Sequence, residues 1–202
     1  LLATQGWCTF RSSQPSQGRA LLEEGLGWLA RGGDEAARLF ALQQLCFVVL
    51  LGGNIQQALA IEAEMAAIAS RLNDGWAWGF TLLLRASIRA GLDAERASID
   101  FAEAVAHARA VGDRYLLYLC LFYYGQHALK HGAIDVAERA FTEIVAVSGE
   151  VGNPLGEVAG LQGLAMVACA QANWPRAIAQ IQVGLARAQA YGDALSRPQL
   201  LL

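Results

Sequence analysis

Apolar residues recur along the chain at intervals of three and four, and polar turn residues interrupt them at regular distances. Ala137, Phe141, Ile144 and Val145, for example, form one apolar stripe at helical spacing. No segment shows the strict alternation that is typical of strands, and Ala, Leu, Gln, Glu and Arg, which favour helices, dominate. The pattern therefore predicts an all-α chain.

The interruptions repeat with a period of 39 or 40 residues. A self-similar period of this length is the signature of a repeat array. Each interruption contains a doublet of two adjacent turn residues. The first residue of the doublet suits the left-handed end of a helix, and the second suits the N-cap of the next helix. The doublets are Gly33-Asp34, Asn73-Asp74, Gly112-Asp113, Gly152-Asn153 and Gly192-Asp193.

We predict one helical-repeat domain over residues 1–202, because the period continues throughout the chain. A second set of turn positions, Asn54, Asp93, Ala133 and Asn173, divides each unit into two helices. The units run over about 1–33, 34–73, 74–112, 113–152 and 153–192, with a partial sixth at 193–202. Helices are expected near 3–12, 16–30, 35–52, 55–72, 75–90, 94–111, 114–131, 135–151, 154–172 and 174–191, and an eleventh after Asp193.

Small residues also recur at fixed places in the second helix of each unit. Such side chains let helix axes approach closely, so both columns are expected to be buried. The first column is Ala58, Ala97, Ala137 and Ala177, and the second is Ala69, Ala108, Ser148 and Ala188.

This pattern resembles a tetratricopeptide repeat. Gly125 matches the small residue of its first helix, and Ala137 and Phe141 match the alanine and aromatic residue of its second. The preceding unit, at about 74–112, repeats that pair as Ala97 and Phe101. The resemblance implies a right-handed α-solenoid of antiparallel helix pairs. Because the tetratricopeptide unit has about 34 residues, both helices here are expected to be longer.

The longer units, and phrases such as ALLEEGLGWLARGGD and EAVAHARAVGD, look like the helical-repeat domains of large bacterial signal-transduction ATPases and transcriptional activators. The resemblance implies a non-catalytic interaction or scaffold module that serves as their sensor or effector-binding domain. A stand-alone peptide-binding adaptor or assembly chaperone is the alternative. The chain contains no GxxxxGK[ST] phosphate loop, and it begins and stops inside a repeat. We therefore expect it to be a piece of a longer protein.

Composition narrows the class of partner. The chain is 55% hydrophobic and 16% charged, with a net charge of −3. These values exclude a disordered chain and argue against a direct nucleic-acid-binding surface. No uncharged segment is apolar enough for a membrane span of about 18 residues. The four scattered cysteines match neither a disulfide framework nor a zinc pattern, so we expect buried, reduced thiols in the bacterial cytoplasm.

The candidate binding residues lie on the first helices, which line the concave side of tetratricopeptide-like arrays. This assignment sets one column at Cys46, Arg85, Gly125 and Ala165, in which Arg85 is a long charged residue among small ones. Arg89 and Lys130, with Arg85, are expected to form a cationic spot for an acidic peptide or phosphate group, and to contribute to binding but not to folding. The predicted groove residues are Gln43, Phe47, Leu82, Arg85, Arg89, Phe122, Gln126, Lys130, Gln162 and Met166.

Two aromatic clusters have alternative interpretations. Packing between repeats is favoured, and an aromatic groove that receives a partner helix or peptide is the alternative. The expected partner is a protein or peptide, including other domains of the parent chain, and the apolar ends allow self-association. The clusters are Trp76, Trp78 and Phe80, and Tyr115, Tyr118, Phe122, Tyr123 and Tyr124.

No pattern indicates catalysis. His127 and His131 are four residues apart and His107 precedes them, but there is no HExxH motif or cysteine partner. We expect His131 at an exposed helix end and His127 in the groove or core. The sequence thus predicts no enzyme, no metal site and no cofactor; a pocket of aromatic and histidine side chains for a small molecule is the rival hypothesis.

Overall fold

The computed structural model describes residues 1–12, 14–32 and 34–192, apart from the side chain of Arg11. It is 87% helical, without strands in the described residues, which confirms the all-α prediction. The eleventh helix and the partial sixth unit, predicted at 193–202, fall outside the described residues. The described helices are α1 (Leu2–Arg11), α2 (Pro15–Gly32), α3 (Glu35–Leu51), α4 (Ile55–Leu72), α5 (Gly75–Arg89), α6 (Ala94–Val111), α7 (Arg114–Lys130), α8 (Ile134–Val151), α9 (Pro154–Ala170) and α10 (Trp174–Ala190).

Several of the predicted turn residues cap helices, whereas Gly33 and Asp193 of the predicted doublets lie outside the described residues. The side chains of Asp34, Asp74 and Asp113 each accept a hydrogen bond from the backbone N–H three residues further on, at 2.9, 3.0 and 2.7 Å. Gly112 and Gly152 follow helices with φ of 78° and 64°, a conformation that glycine adopts without a steric penalty. The period of the sequence is therefore the period of the helix ends.

The chain divides into two compact units, Leu1–Asp100 and a second that begins at Phe101. In the first unit each helix from α1 to α5 packs against the next, α1 also contacts α3, and α3 contacts α5. In the second unit α7 to α10 pack in the same order, and α7 contacts α9. Each unit thus has a layer of odd-numbered first helices in contact with one another, backed by even-numbered second helices.

Both columns of small residues are buried, because helices approach closely at these positions. Ala97 and Ala137 have no exposed surface. Phe141, 1% exposed, fills the space between two glycines on neighbouring first helices. A Cβ atom at Gly163 of α9 would lie 2.2 Å from Phe141 Cδ1, and one at Gly125 of α7 would lie 2.9 Å from its Cζ. The aromatic residue of the second helix therefore sets how α7 and α9 pack on α8.

Candidate functional site

The register of the first helices differs from the prediction in one unit. Twelve residues after the N-caps, the residue is small and buried in each of the helices α3, α5, α7 and α9. Arg85 does not belong to this column, because Asp34 and Asp74 are 40 residues apart whereas Arg85 follows Cys46 by 39. A slip of one residue turns a side chain by about 100° around the helix. The column is Cys46, Ala86, Gly125 and Ala165.

With this register, the first-helix layer of the second unit carries an open surface, the α7–α9 face. Tyr115 of α7 is 56% exposed, and Leu155 at the equivalent position of α9 is 51% exposed. Met166 of α9 is 48% exposed. The face consists of Tyr115, Phe122, Gln126 and Lys130 on α7 and Leu155, Gln162 and Met166 on α9.

Aromatic rings continue along α7. The ring centroid of Tyr118 lies 6.0 Å from that of Tyr115 and 6.1 Å from that of Phe122. Burial raises the pKa of Tyr118, and it raises the pKa of Tyr123, whose ring lies 5.4 Å from that of Phe122, to about 12. Both phenols therefore stay protonated at neutral pH, and the ammonium group of Lys130 supplies the charge on the α7–α9 face.

The first unit carries a second open surface, the α3–α5 face, on its own first helices. Phe40 of α3 is 37% exposed and Leu51 is 62% exposed, with Phe47 between them partly buried. On α5 the rings of Trp76 and Phe80 stack with centroids 5.3 Å apart. This face is aromatic and aliphatic, whereas the α7–α9 face also carries amide and ammonium groups.

Six of the predicted groove residues lie on these two faces: Phe47, Phe122, Gln126, Lys130, Gln162 and Met166. Gln43 occupies the same column as Phe122 but is only 1% exposed. Its Nε2 donates to the backbone oxygen of Ala77 at 2.9 Å, so its side chain ties α3 to α5. Leu82 is 2% exposed and belongs to the core. The prediction that these two residues line an open groove is wrong.

Arg85 and Arg89 also leave the predicted face. They occupy positions that Leu45 and Val49, both buried, hold in α3. Arg89 Nη1 donates to Oδ2 of Asp100, which has no exposed surface. The expectation that Arg89 is a solvated cation without a role in folding is therefore wrong, because it neutralises a buried carboxylate.

The histidines and cysteines are distributed through the core and surface. The ring of His127, 5% exposed, lies 5.2 Å from that of Phe101, whereas His131 is exposed at the C-cap of α7. Burial raises the pKa of the Cys46 and Cys120 thiols to about 12. Cys8 and Cys169 are exposed, which corrects the expectation that all four thiols are buried.

The described residues offer neither a metal-ligand cluster nor a membrane-spanning helix. There, no three His, Cys, Asp or Glu side chains gather in a way that could hold a metal ion. Among the same residues, no helix has both the length and the apolar character needed to cross a bilayer. A cleft of about 580 Å³ lies between α2, α3 and α4, but its arginines are engaged: Arg38 pairs with Glu64 and Arg71 with Glu35.

Comparisons with known proteins give the fold. No family model matches the chain, and no curated protein matches it. A Rap protein complexed with competence and sporulation factor superposes with a TM-score of 0.88 at 15% identity, over 98% of this chain and 56% of that one. A signal transduction ATPase with numerous domains from Pyrococcus horikoshii, described with a tetratricopeptide repeat sensor, gives 0.77 at 14% identity, over 98% of this chain and 31% of that one.

Tetratricopeptide-like repeats of a kinesin light chain from Podosopora anserina give a TM-score of 0.69 at 14% identity, over 96% of this chain and 95% of theirs. Identities this low establish the fold alone. The chain therefore has a tetratricopeptide-like repeat fold, and it spans about half of the Rap chain and a third of the ATPase chain.

Proposed function

We propose that this chain is a non-catalytic interaction module that binds a protein or peptide on the α7–α9 face. The observation that carries the proposal is that Tyr115, Leu155 and Met166 are each about half exposed on two first helices in contact. Apolar side chains grouped on a surface mark interaction sites, and aromatic residues and methionine are enriched there. Lys130 gives this face a preference for an acidic partner.

The finer proposal is that the module is the sensor or effector-binding domain of a bacterial signalling ATPase or transcriptional regulator in the cytoplasm. The likeness to the sensor-bearing ATPase supports it. The second candidate is a stand-alone adaptor, which the match to 95% of the kinesin light chain repeats favours. The complete reading frame decides between them: a Walker A domain upstream supports the first candidate, and a short complete frame supports the second.

Binding on the α7–α9 face is tested with selected peptides. Random 12-residue peptides displayed on phage are selected against the 202-residue chain, and the best one is titrated as a labelled synthetic peptide by fluorescence anisotropy. Met166→Glu is expected to raise the dissociation constant at least about tenfold, because it replaces an exposed apolar side chain of the face with a charged one.

Val183→Glu is the matched control, since Val183 of α10 is 47% exposed but lies on a second helix. Its dissociation constant should stay within about twofold of the parent value. Equal binding by the parent and the Met166→Glu variant would exclude the α7–α9 face as the binding surface.

A further inference from the structure

Three arginines of this chain, Arg38, Arg71 and Arg109, bind a glutamate through the planar fork of Nε and Nη2. Arg109 donates to Glu143 from Nε at 3.1 Å and from Nη2 at 2.6 Å. Arg71 directs the same two nitrogens at Glu35. This edge of the guanidinium matches the two oxygens of a carboxylate, and such bidentate pairs are the strong ones.

Arg89 differs from these arginines. Its hydrogen bond runs from Nη1 to Asp100 Oδ2, which leaves Nε and Nη2 without a hydrogen bond to any described residue. The side chain is 35% exposed at the end of α5. The fork of Arg89 is therefore open on the surface of the first unit.

Asp100 holds this guanidinium in place. Its carboxylate is completely buried, and Oδ1, which makes no hydrogen bond, lies 3.4 Å from Nε of Arg96. If the Arg89 side chain moved to another acidic residue, the buried Asp100 carboxylate would keep only Arg96 as a partner. This movement is unfavourable, because a buried charge that loses its partner raises the free energy of the folded state. The fork is thus fixed in advance, which lowers the entropic cost of binding.

Two arginines meet at Asp100. The guanidinium groups of Arg89 and Arg96 share the single carboxylate of Asp100, so this carboxylate neutralises only one of the two. Asp93 and Glu95 both precede Arg96 in the sequence, and Oδ1 of Asp93 accepts the backbone N–H of Arg96 at 3.0 Å.

We infer that the open fork of Arg89 is a docking point for a carboxylate side chain of a bound protein or peptide, with Asp100 as the residue that positions it. The carboxylate accepts from Nε and Nη2 while Nη1 remains on Asp100. The inference rests on the proposed interaction function, but it concerns a different surface from the α7–α9 face.

The test follows the Nε–H signal of Arg89 by ¹H–¹⁵N NMR in the full chain, assigned by its loss in Arg89→Lys. The probe is N-acetylglutamic acid α-amide, and the neutral control is N-acetylglutamine amide. The Arg89 signal is expected to shift saturably with the acid and not with the amide. The Arg114 signal is the internal control, because Nη1 of Arg114 also faces a carboxylate, with Oε2 of Glu150 at 2.9 Å, but both partners are exposed.

Half-saturation at Arg89 is expected at a probe concentration at least fivefold lower than at Arg114, and Asp100→Asn should remove that difference if its helical spectrum is retained. Equal shifts with acid and amide, or equal affinities at Arg89 and Arg114, overturn the inference. Inorganic phosphate that binds at Arg89 more tightly than the acid overturns the assignment to a carboxylate. Peptide binding by Met166→Glu is measured separately, so failure of one proposal is distinguishable from failure of the other.

Discussion

Asp100 shows how a single buried charge changes the role of a surface residue. Arg89→Ala removes the guanidinium that donates to this carboxylate and leaves Arg96 as its remaining ion-pair partner. Breaking a fully buried pair costs about 3–5 kcal/mol, and the partial exposure of Arg89 reduces that cost. We expect the free energy of unfolding to fall by about 2 kcal/mol, measured by urea denaturation followed by circular dichroism.

Arg114→Ala is the matched variant for this prediction. Arg114 and Glu150 are 51% and 59% exposed, so the loss of their ion pair should change the free energy of unfolding by less than about 0.5 kcal/mol. An Arg89→Ala variant as stable as Arg114→Ala would mean that Arg96 alone satisfies Asp100.

At the scale of helices, α9 can pack closely against α8 because residue 163 is a glycine, which has no side chain. Gly163→Ala places a Cβ 2.2 Å from Phe141 Cδ1, and both residues are held in the core. Overpacking of this kind lowers the stability of the folded state by about 1–3 kcal/mol. This loss exceeds the gain from the higher helix propensity of alanine. We expect a lower melting temperature and unchanged helix content, measured by far-UV circular dichroism.

Gly149→Ala is the control, because Gly149 lies in α8 with nothing within 4 Å of the added Cβ. Alanine in that exposed helical position should stabilise the protein by up to about 1 kcal/mol. If both variants melted at the same temperature, the contact between Gly163 and Phe141 would not limit helix packing.

The helices could be predicted from sequence because their signals are local. An N-cap such as Asp113 and a C-terminal glycine such as Gly112 act within one turn, and their recurrence fixes the period. The binding face was harder to predict, since an error of one residue moved Arg85 and Arg89 to the wrong side of α5. The contact between Arg89 and Asp100 joins two helices across a turn and breaks the repeat, so periodicity gives no signal for it.

At the scale of the whole molecule, burial is uneven along the array. Ten of the seventeen residues of α9 are buried, whereas in α10 only Ala177, Gly184 and Ala188 are. In a repeat array each helix is stabilised mainly by its neighbours, so stability need not be uniform. Leu155, Gln162 and Met166 of the α7–α9 face lie on the well-buried helix. A partner would therefore meet a rigid surface and lose little free energy to ordering it.

Hydrogen exchange measures this difference directly. We expect backbone amides in the middle of α9 to exchange at least about tenfold more slowly than those in the middle of α10, after correction for intrinsic chemical rates. The measurement is hydrogen–deuterium exchange of the full chain at one pH, read by mass spectrometry on peptides from each helix. Equal protection in α9 and α10 would mean that the two helices open together, and the α7–α9 face would then owe its rigidity to global folding and not to the burial of α9.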